Sequence, residues 1–427
     1  MTLTAENEGP RRQNWINARA RNAMRRRLEG IKGGYITLVE GGETSIFGHS
    51  PADKESLSAT IYINDADFYS SVAFGGSLGA GEAYIHGQWQ CDDLVSLVRL
   101  MISNRDVLES LDDKVSLITL WHRKFLHWLN RNTSSRSRKN IRAHYDLGNE
   151  LFRLFLDESM TYSCGFFEDE SSTLAQAQEA KLKMICSKLQ LSRRDKIVEI
   201  GSGWGGFAIY AAKNYGCHIT TTTISDEQYA HVKKLIAEEE LTNNIAVLKK
   251  DYREMEGKFD KLVSVEMIEA VGPQFLDTYL RKCSGLLKQD GTMLLQAITM
   301  QDQRYDRALN SVDFIQKYIF PGGFIPSVTA VVESAKRVSD LRLFDLEDIG
   351  PHYAKTLMQW KNRFFNRLEE VKSLGYADEF IRMWDFYLSY SAGGFMERAL
   401  SNAHFLFVKP DNRIVSQRSQ LRQDSMH

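Results

Sequence analysis

A cluster of glycines between residues 201 and 206 constrains this chain more than any other feature. The β-branched run Lys196–Ile200 predicts a short strand that ends at Gly201, and an apolar helical pattern begins at Phe207. The glycines of the cluster are Gly201, Gly203, Gly205 and Gly206. Because glycine lets the backbone approach a ligand closely, and helix N–H groups then point at that ligand, the segment predicts a binding loop rather than a plain turn.

The residues around the loop distinguish two kinds of ligand. The pattern Gly201-x-Gly203-x-x-Gly206 also fits a dinucleotide fingerprint, which needs an acidic residue about 20 positions further on. The second predicted strand, His218–Thr223, ends in threonines instead. Glu199 lies inside the first strand, where a carboxylate suits the ammonium of S-adenosylmethionine. The loop therefore favours S-adenosylmethionine over a dinucleotide.

Length and composition indicate a globular protein of two domains. The chain has 427 residues, of which 43% are hydrophobic and 26% are charged. No apolar stretch approaches the roughly 18 residues of a membrane span, and the polar N-terminus predicts no secretory signal. The five cysteines are scattered without metal-ligand spacing. We therefore expect a cytoplasmic protein with free thiols and no metal.

Two basic segments interrupt a chain whose net charge is −1. Residues 11–32 contain a single acid, Glu29, and residues 123–142 contain none. The second segment interleaves its charges with aromatic residues such as Trp128, as interfacial helices on anionic membranes do. Two solvated helix faces are the alternative. The segments carry no signature of a nucleic-acid module, so nucleic acid is not an expected partner.

The pattern of predicted elements divides the chain. Residues 1–131 read as a small α+β module, and the polar stretch 132–141 reads as a linker. From 142 to 410, strands alternate with helices, which predicts an α/β domain around a mostly parallel sheet. Residues 411–427 are expected to form a flexible tail. In such sheets ligands bind at the carboxyl ends of the strands, and these ends carry Gly201, Thr223, Asp251, Glu269 and Ile298.

Several motifs in order carry a family resemblance from about His144 to Val408. They are His144–Asn149, Met160–Phe167, the glycine loop, Thr223–Gln228, Glu269 before Val-Gly-Pro, Tyr318–Gly323 and Pro351–Leu357. Together they resemble the cyclopropane-fatty-acyl-phospholipid synthases, including the mycolic acid cyclopropane synthases. The resemblance implies a Rossmann-like S-adenosylmethionine-dependent methyltransferase with a seven-stranded sheet. The N-terminal module resembles, more loosely, the lipid-binding module of the longer bacterial members.

The implied reaction is transfer of a methylene group to a cis double bond in an unsaturated phospholipid acyl chain. Attack of the alkene on the sulfonium methyl leaves a carbocation. The cation needs a water-free pocket lined by electron-rich side chains, and a base that removes a proton. The family resemblance implies a bound bicarbonate as that base. Its holders map to Cys164, Glu269, Gln296, Ile298 and Tyr353.

The resemblance also implies the residues that bind S-adenosylmethionine. Thr223 and Gln228 are expected at the ribose, and Asp251 and Tyr252 at the adenine. The other expected contacts are Tyr162, Ser163, Glu199, Gly201, Gly203, Trp204, Gly205, Gly206, Ile224 and Ser225.

The chain departs from the family pattern at three positions. Gln296 and Ala270 stand where many members have histidine, which leaves the fate of the cation open. Ser391, a further candidate for the catalytic set, stands where the family usually has cysteine, and serine argues against covalent catalysis there. The same site would also allow a methyl- or methylene-branched product.

Two expectations concern partners and location. The enzyme is expected to bind peripherally at the inner face of the cell membrane, and a homodimer is left open. A non-catalytic lipid- or RNA-binding protein with a vestigial methyltransferase fold is the alternative from another class of function.

Overall fold

The computed structural model describes residues 9–49, 56–106 and 148–415. The chain divides into two units. The first comprises Met1–Leu129, Ser311–Ile319 and Phe365–Ala399, and the second comprises Asn130–Asn310, Phe320–Phe364 and Leu400–His427. The predicted linker at 132–141 and the basic segment at 123–142 lie outside the described residues. No helix in the described ranges is long and apolar enough to cross a membrane.

The first unit is built on a four-stranded sheet with the order β2-β1-β3-β4. Strand β1 pairs parallel with β3 and antiparallel with β2. The strands are β1 Gly34–Glu40, β2 Glu43–His49, β3 Leu57–Ile63 and β4 Trp89–Cys91, and the helices are α1 Gly9–Leu28, α2 Asp67–Ile85 and α3 Leu94–Ser103. The expected small α+β unit is confirmed by this arrangement.

Two later segments also belong to the first unit. The helices α12 Leu368–Ser373 and α13 Asp378–Met396 come from a part of the chain that the sequence analysis places in the catalytic domain. Helix α13 packs closely on α3, because Gly393 leaves room for Val98. Arg99 of α3 donates to the Glu397 carboxylate over 2.7 Å. The first unit is therefore not composed of N-terminal residues alone.

The second unit contains a seven-stranded sheet with the order β10-β11-β9-β8-β5-β6-β7, as predicted. Neighbouring strands from β9 to β7 pair in parallel, and β11 runs antiparallel to both of its neighbours. The strands are β5 Lys196–Ile200, β6 His218–Thr223, β7 Ile245–Lys249, β8 Phe259–Val265, β9 Leu287–Met300, β10 Arg342–Asp348 and β11 Leu400–Val408.

Helices cover both faces of this sheet. One core contains residues of α5, α6 and α7, and the other contains residues of α8 and α10. The helices are α4 Asn149–Phe155, α5 Leu174–Lys188, α6 Gly206–Tyr215, α7 Asp226–Glu238, α8 Leu276–Leu286, α9 Asp302–Leu309, α10 Val328–Val338 and α11 Gly350–Asn366. Because both faces are covered, β5 is a nearly continuous buried apolar run, and the carboxyl strand ends are left to form a site.

The fold predicts a large cost for truncating a side chain in the central strand β9. Leu294 is fully buried, so Leu294→Ala should lower the free energy of unfolding by about 3 kcal/mol. Leu343→Ala on β10, where the side chain is 38% exposed, is the matched control and should cost less than about 1 kcal/mol. Calorimetric unfolding of both variants checks this, and equal losses would contradict the assigned core.

Candidate active site

The glycine loop follows β5 and begins in the left-handed region of the backbone map. Gly201 has φ 93° and Gly205 has φ 95°, both of which favour glycine. A Cβ atom at Gly201 would also lie 3.0 Å from the Met267 side chain. The N–H of Ser202 donates to the Thr222 carbonyl over 2.9 Å, which ties the loop to the end of β6. The sequence thus folds here into an open cradle at the strand ends.

A cavity of about 1270 Å³, counted with its open mouth, lies against this loop. The predicted cofactor residues that line it are Tyr162, Ser163, Glu199, Gly201, Gly203, Trp204, Gly206, Thr223, Ile224, Gln228, Asp251 and Tyr252. Gly205 and Ser225 do not line it. Ser225 instead begins α7, where its side chain accepts from the N–H of Gln228.

Glu199 is the polar residue of the cavity whose surroundings best indicate a contact with a ligand. Its side chain is buried, and its Oε2 atom has no hydrogen-bond partner among the described residues. Burial raises the pKa of this carboxyl to about 8. An ammonium group placed here would supply the missing partner, as the methionine end of S-adenosylmethionine does. The cavity therefore fits this cofactor.

Hydrogen bonds within the chain already fix the side chains of Thr223, Gln228 and Asp251, which are expected at the ribose and adenine. Thr223 Oγ1 donates to the Gln228 side-chain oxygen over 2.8 Å. The Asp251 carboxylate accepts two bonds from the Arg253 guanidinium, over 2.8 and 2.7 Å. Tyr252 follows Asp251 in a short 3₁₀ turn. Their individual cofactor contacts remain predictions.

Aromatic rings gather beside the loop. The Tyr162 and Trp360 ring centroids are 5.0 Å apart, and Tyr353 lies edge-on to Trp360 at 6.0 Å. Trp204 packs 4.9 Å from Phe152, and its indole N–H donates to Asn149 over 2.7 Å. Of these rings, Tyr162 and Trp204 line the cavity, and their π faces can serve as the electron-rich wall that a carbocation needs.

The centre of the site is a residue that the sequence analysis did not single out. Glu266 directly follows β8, lines the cavity, and has φ 48°. Its carboxylate accepts hydrogen bonds from four groups of the second unit. The donors are the Cys164 N–H at 2.9 Å, Gln296 Nε2 at 2.8 Å, the Tyr353 hydroxyl at 2.6 Å and Asn402 Nδ2 at 2.6 Å.

A second layer orients Gln296 toward this carboxylate. Gln296 lies opposite His404 in the register of β9 and β11, and His404 Nε2 is 3.0 Å from the Gln296 oxygen. Burial, with Lys188 and Lys181 nearby, holds the His404 pKa well below its ordinary value, so the ring is neutral. Because Lys188 Nζ donates to Nδ1, the Nε2–H faces the Gln296 oxygen. The Gln296 NH₂ group is thereby left to face Glu266.

Glu269 is a second carboxyl group in the same neighbourhood, and its Oε2 atom is buried. Its Oε1 accepts from the Ile298 N–H over 2.6 Å, and its Oε2 has no partner in the part of the chain that is described. Burial, followed by the charge of Glu266, raises the pKa of Glu269 to about 8. Glu269 is therefore largely protonated at neutral pH.

The residues present do not fit the bicarbonate that the family resemblance implies. Three of its five expected holders, Cys164, Gln296 and Tyr353, donate to Glu266 instead. A fourth, the Ile298 N–H, donates to Glu269, which is the fifth. An added anion would face two carboxyl groups of the chain and find these donors in use.

Two further predicted residues play limited roles. Cys164 is buried, and burial raises the pKa of its thiol, so its contribution is the backbone N–H rather than a thiolate. Ser391 lies on α13, which belongs to the first unit.

Sequence reasoning missed Glu266, Lys181 and Asn402. Lys181 is fully buried, lines the cavity, and donates to the Ser163 hydroxyl over 2.7 Å. A signal for Glu266 existed, because an acid directly after a parallel strand lies at the edge where ligands bind. No local signal marks Asn402 or Lys181, which reach the site through pairing of β11 and packing of α5.

Comparison with known proteins agrees with this geometry. The family model described as mycolic acid cyclopropane synthetase matches residues 132–405. The cyclopropane-fatty-acyl-phospholipid synthase of Escherichia coli (strain K12) is 38% identical over 87% of this chain and 92% of its own length. The tuberculostearic acid methyltransferase of Mycobacterium tuberculosis is 35% identical over 81% of each chain.

A solved structure gives the same result. A mycolic acid cyclopropane synthase complexed with SAH and CTAB superimposes with a TM-score of 0.59 at 31% identity, over 64% of this chain and 98% of the other. The match of the family model over more than half of the chain, together with these relatives, establishes the assignment. The chain belongs to the mycolic acid cyclopropane synthetase family and is an S-adenosylmethionine-dependent methyltransferase of the cyclopropane-synthase type.

Proposed function

We propose that this enzyme transfers a methylene group from S-adenosylmethionine to a cis double bond of an unsaturated phospholipid acyl chain and forms a cyclopropane ring. One observation carries the proposal: Glu199 of β5, directly before the glycine loop, and the carboxylate of Glu266 line a single cavity. The first suits the ammonium of the methyl donor, and the second lies where a proton can be accepted. The Escherichia coli relative, named as a phospholipid synthase of this type, supports the acceptor.

Some residues of the cavity orient the methyl donor, and others stabilise the carbocation. S-adenosylmethionine supplies a sulfonium methyl group, and the glycine loop with Glu199 orients it. The alkene electron pair forms a bond to that methyl carbon, and the C–S pair leaves with sulfur. The ring of Tyr162, which lines the cavity, stabilises the positive charge on the neighbouring carbon. Loss of a proton from the new methyl group closes the ring.

A branched product is the second candidate function. If a hydride shifts to the cationic carbon before proton loss, the same site yields a methylene branch with the same atoms. The relative named as a tuberculostearic acid methyltransferase favours this outcome, as do the departures at Gln296 and Ala270. The two products differ in whether the double bond is retained.

The first unit supplies a surface suited to the lipid. Ile46 lies opposite Thr37, and Tyr62 lies opposite Val39, on the side of the sheet that also carries Tyr35. Their side chains are exposed, Ile46 to 68%. Helix α1 ends in the arginines Arg25, Arg26 and Arg27. We propose that this unit contacts the surface of an anionic bilayer, to which apolar and basic groups both contribute.

The reaction is tested by incubating the protein with S-adenosylmethionine and vesicles of an unsaturated phospholipid, followed by mass analysis of the acyl chains. We expect the gain of one CH₂ unit with loss of the double bond. The same gain with a retained double bond would identify the branched product. An unchanged acyl mass, with S-adenosylhomocysteine still bound, would contradict the proposed activity.

Glu199 is tested by the affinity for S-adenosylhomocysteine. Glu199→Gln removes the carboxyl group that can ionise beside the ligand ammonium, so the dissociation constant should rise about tenfold or more. Isothermal titration calorimetry measures it. Glu238→Gln, the same change at an exposed site of α7, is the control and should bind as the parent protein does. Equal affinities of both variants would exclude the ammonium contact.

The membrane surface is tested by flotation with anionic phospholipid vesicles. Ile46→Asp places a charge on the apolar face and should reduce vesicle binding several-fold, with unchanged affinity for S-adenosylhomocysteine. Leu374→Asp makes the same change at an exposed apolar residue outside this sheet and serves as the control. If both variants bind vesicles like the parent protein, the sheet face is not the contact surface.

A further inference from the structure

We propose that the carboxylate of Glu266 is the base of this enzyme and occupies the position of the anion that the family resemblance implies. The inference rests on the proposed function and adds a catalytic residue to it. The base would be part of the chain rather than a bound ion. Four observations carry the proposal: the donors, the backbone, the charge of the neighbouring carboxyl, and the access to the cavity.

The first observation is the set of hydrogen-bond donors around the Glu266 carboxylate. The Cys164 N–H, the Gln296 amide and the Tyr353 hydroxyl are the groups mapped to the anion, and all three converge on Glu266 within 2.9 Å. Asn402 adds a fourth donor at 2.6 Å. A site that presents only donors is built for an anionic acceptor, and the carboxylate fills it.

The backbone of Glu266 adopts an energetically unfavourable conformation. Glu266 has φ 48°, in the left-handed region that a residue with a Cβ seldom adopts. Such strain persists where surrounding contacts over-determine the conformation, and it concentrates at functional sites. Here the four donors are those contacts. Glycine at this position would relieve the strain. A glutamate here therefore indicates that its side chain has a function that outweighs the cost of the backbone conformation.

The neighbouring carboxyl group is a poor alternative base. Glu269 has a pKa of about 8 and holds a proton at neutral pH, so it does not compete for a second one. Because Glu266 lines the cavity, it can reach a substrate in that cavity, whereas Glu269 is not among the lining residues.

The proposed step balances without another reactant. A C–H bond of the transferred methyl group breaks, its electron pair forms the third ring bond to the cationic carbon, and the proton goes to a Glu266 oxygen. The donors already present hold the carboxylate in place during the transfer. After the product leaves, the open mouth of the cavity gives water access to return the proton to solvent.

The test compares turnover of the parent enzyme and three variants in buffer freed of carbon dioxide and in the same buffer with added bicarbonate. The parent enzyme should run at the same rate in both. Glu266→Gln keeps the size of the side chain without the base and should lose about 100-fold or more in turnover in both. Glu266→Gly removes the strain and opens an anion site, so its low rate should rise at least about tenfold with bicarbonate. Glu238→Gln should match the parent enzyme.

The outcomes separate the inference from the proposed function. Binding of S-adenosylhomocysteine with parent-like affinity shows that each variant is folded. A parent enzyme that needs bicarbonate, a Glu266→Gln variant with near-normal turnover, or a Glu266→Gly variant that bicarbonate does not rescue would overturn the role of Glu266 while leaving the methylene transfer in place. A parent enzyme that modifies no unsaturated phospholipid would overturn both.

Discussion

Four hydrogen-bond donors that are far apart in the sequence meet at one carboxylate, and the active site depends on that convergence. Glu266 connects the segment around Cys164 with β9, β11 and α11. Each donor would cost about 1–3 kcal/mol if it were left buried without an acceptor. The carboxylate therefore stabilises the arrangement of the elements that carry the site, and it tolerates an unfavourable backbone conformation to do so.

Much of the fold follows from local patterns in the chain. The bounds predicted for β5 and β6 are those observed, because buried β-branched runs end there at a glycine or at a helix cap. Strand β9, Leu287–Met300, includes residues at both ends whose sequence is polar or mixed, because β11 pairs along residues 292–300 and β8 pairs near Leu287. Tertiary pairing rather than propensity sets those ends.

In the active site too, local sequence patterns predict some residues, and tertiary contacts bring the others together. The residues of the cofactor loop are contiguous with a strand and a helix, so their spacing already indicates a cavity. The residues around Glu266 are brought together by sheet register and helix packing, which a single sequence does not reveal. The family resemblance named Cys164, Gln296 and Tyr353 as holders of an anion, but it did not name Glu266, to which all three donate. Gln296, a departure from the family, is explained by its partners: His404 on one side and Glu266 on the other.

The account makes a chain carboxylate the anion at the heart of the site. The most direct measurement is a high-resolution crystal structure of the protein grown with S-adenosylhomocysteine in bicarbonate-containing buffer. The account predicts that both Glu266 oxygens remain bonded to Cys164, Gln296, Tyr353 and Asn402, with no separate anion among these donors. A planar anion bound between the Cys164 N–H and the Tyr353 hydroxyl, with the Glu266 side chain turned away, would contradict it.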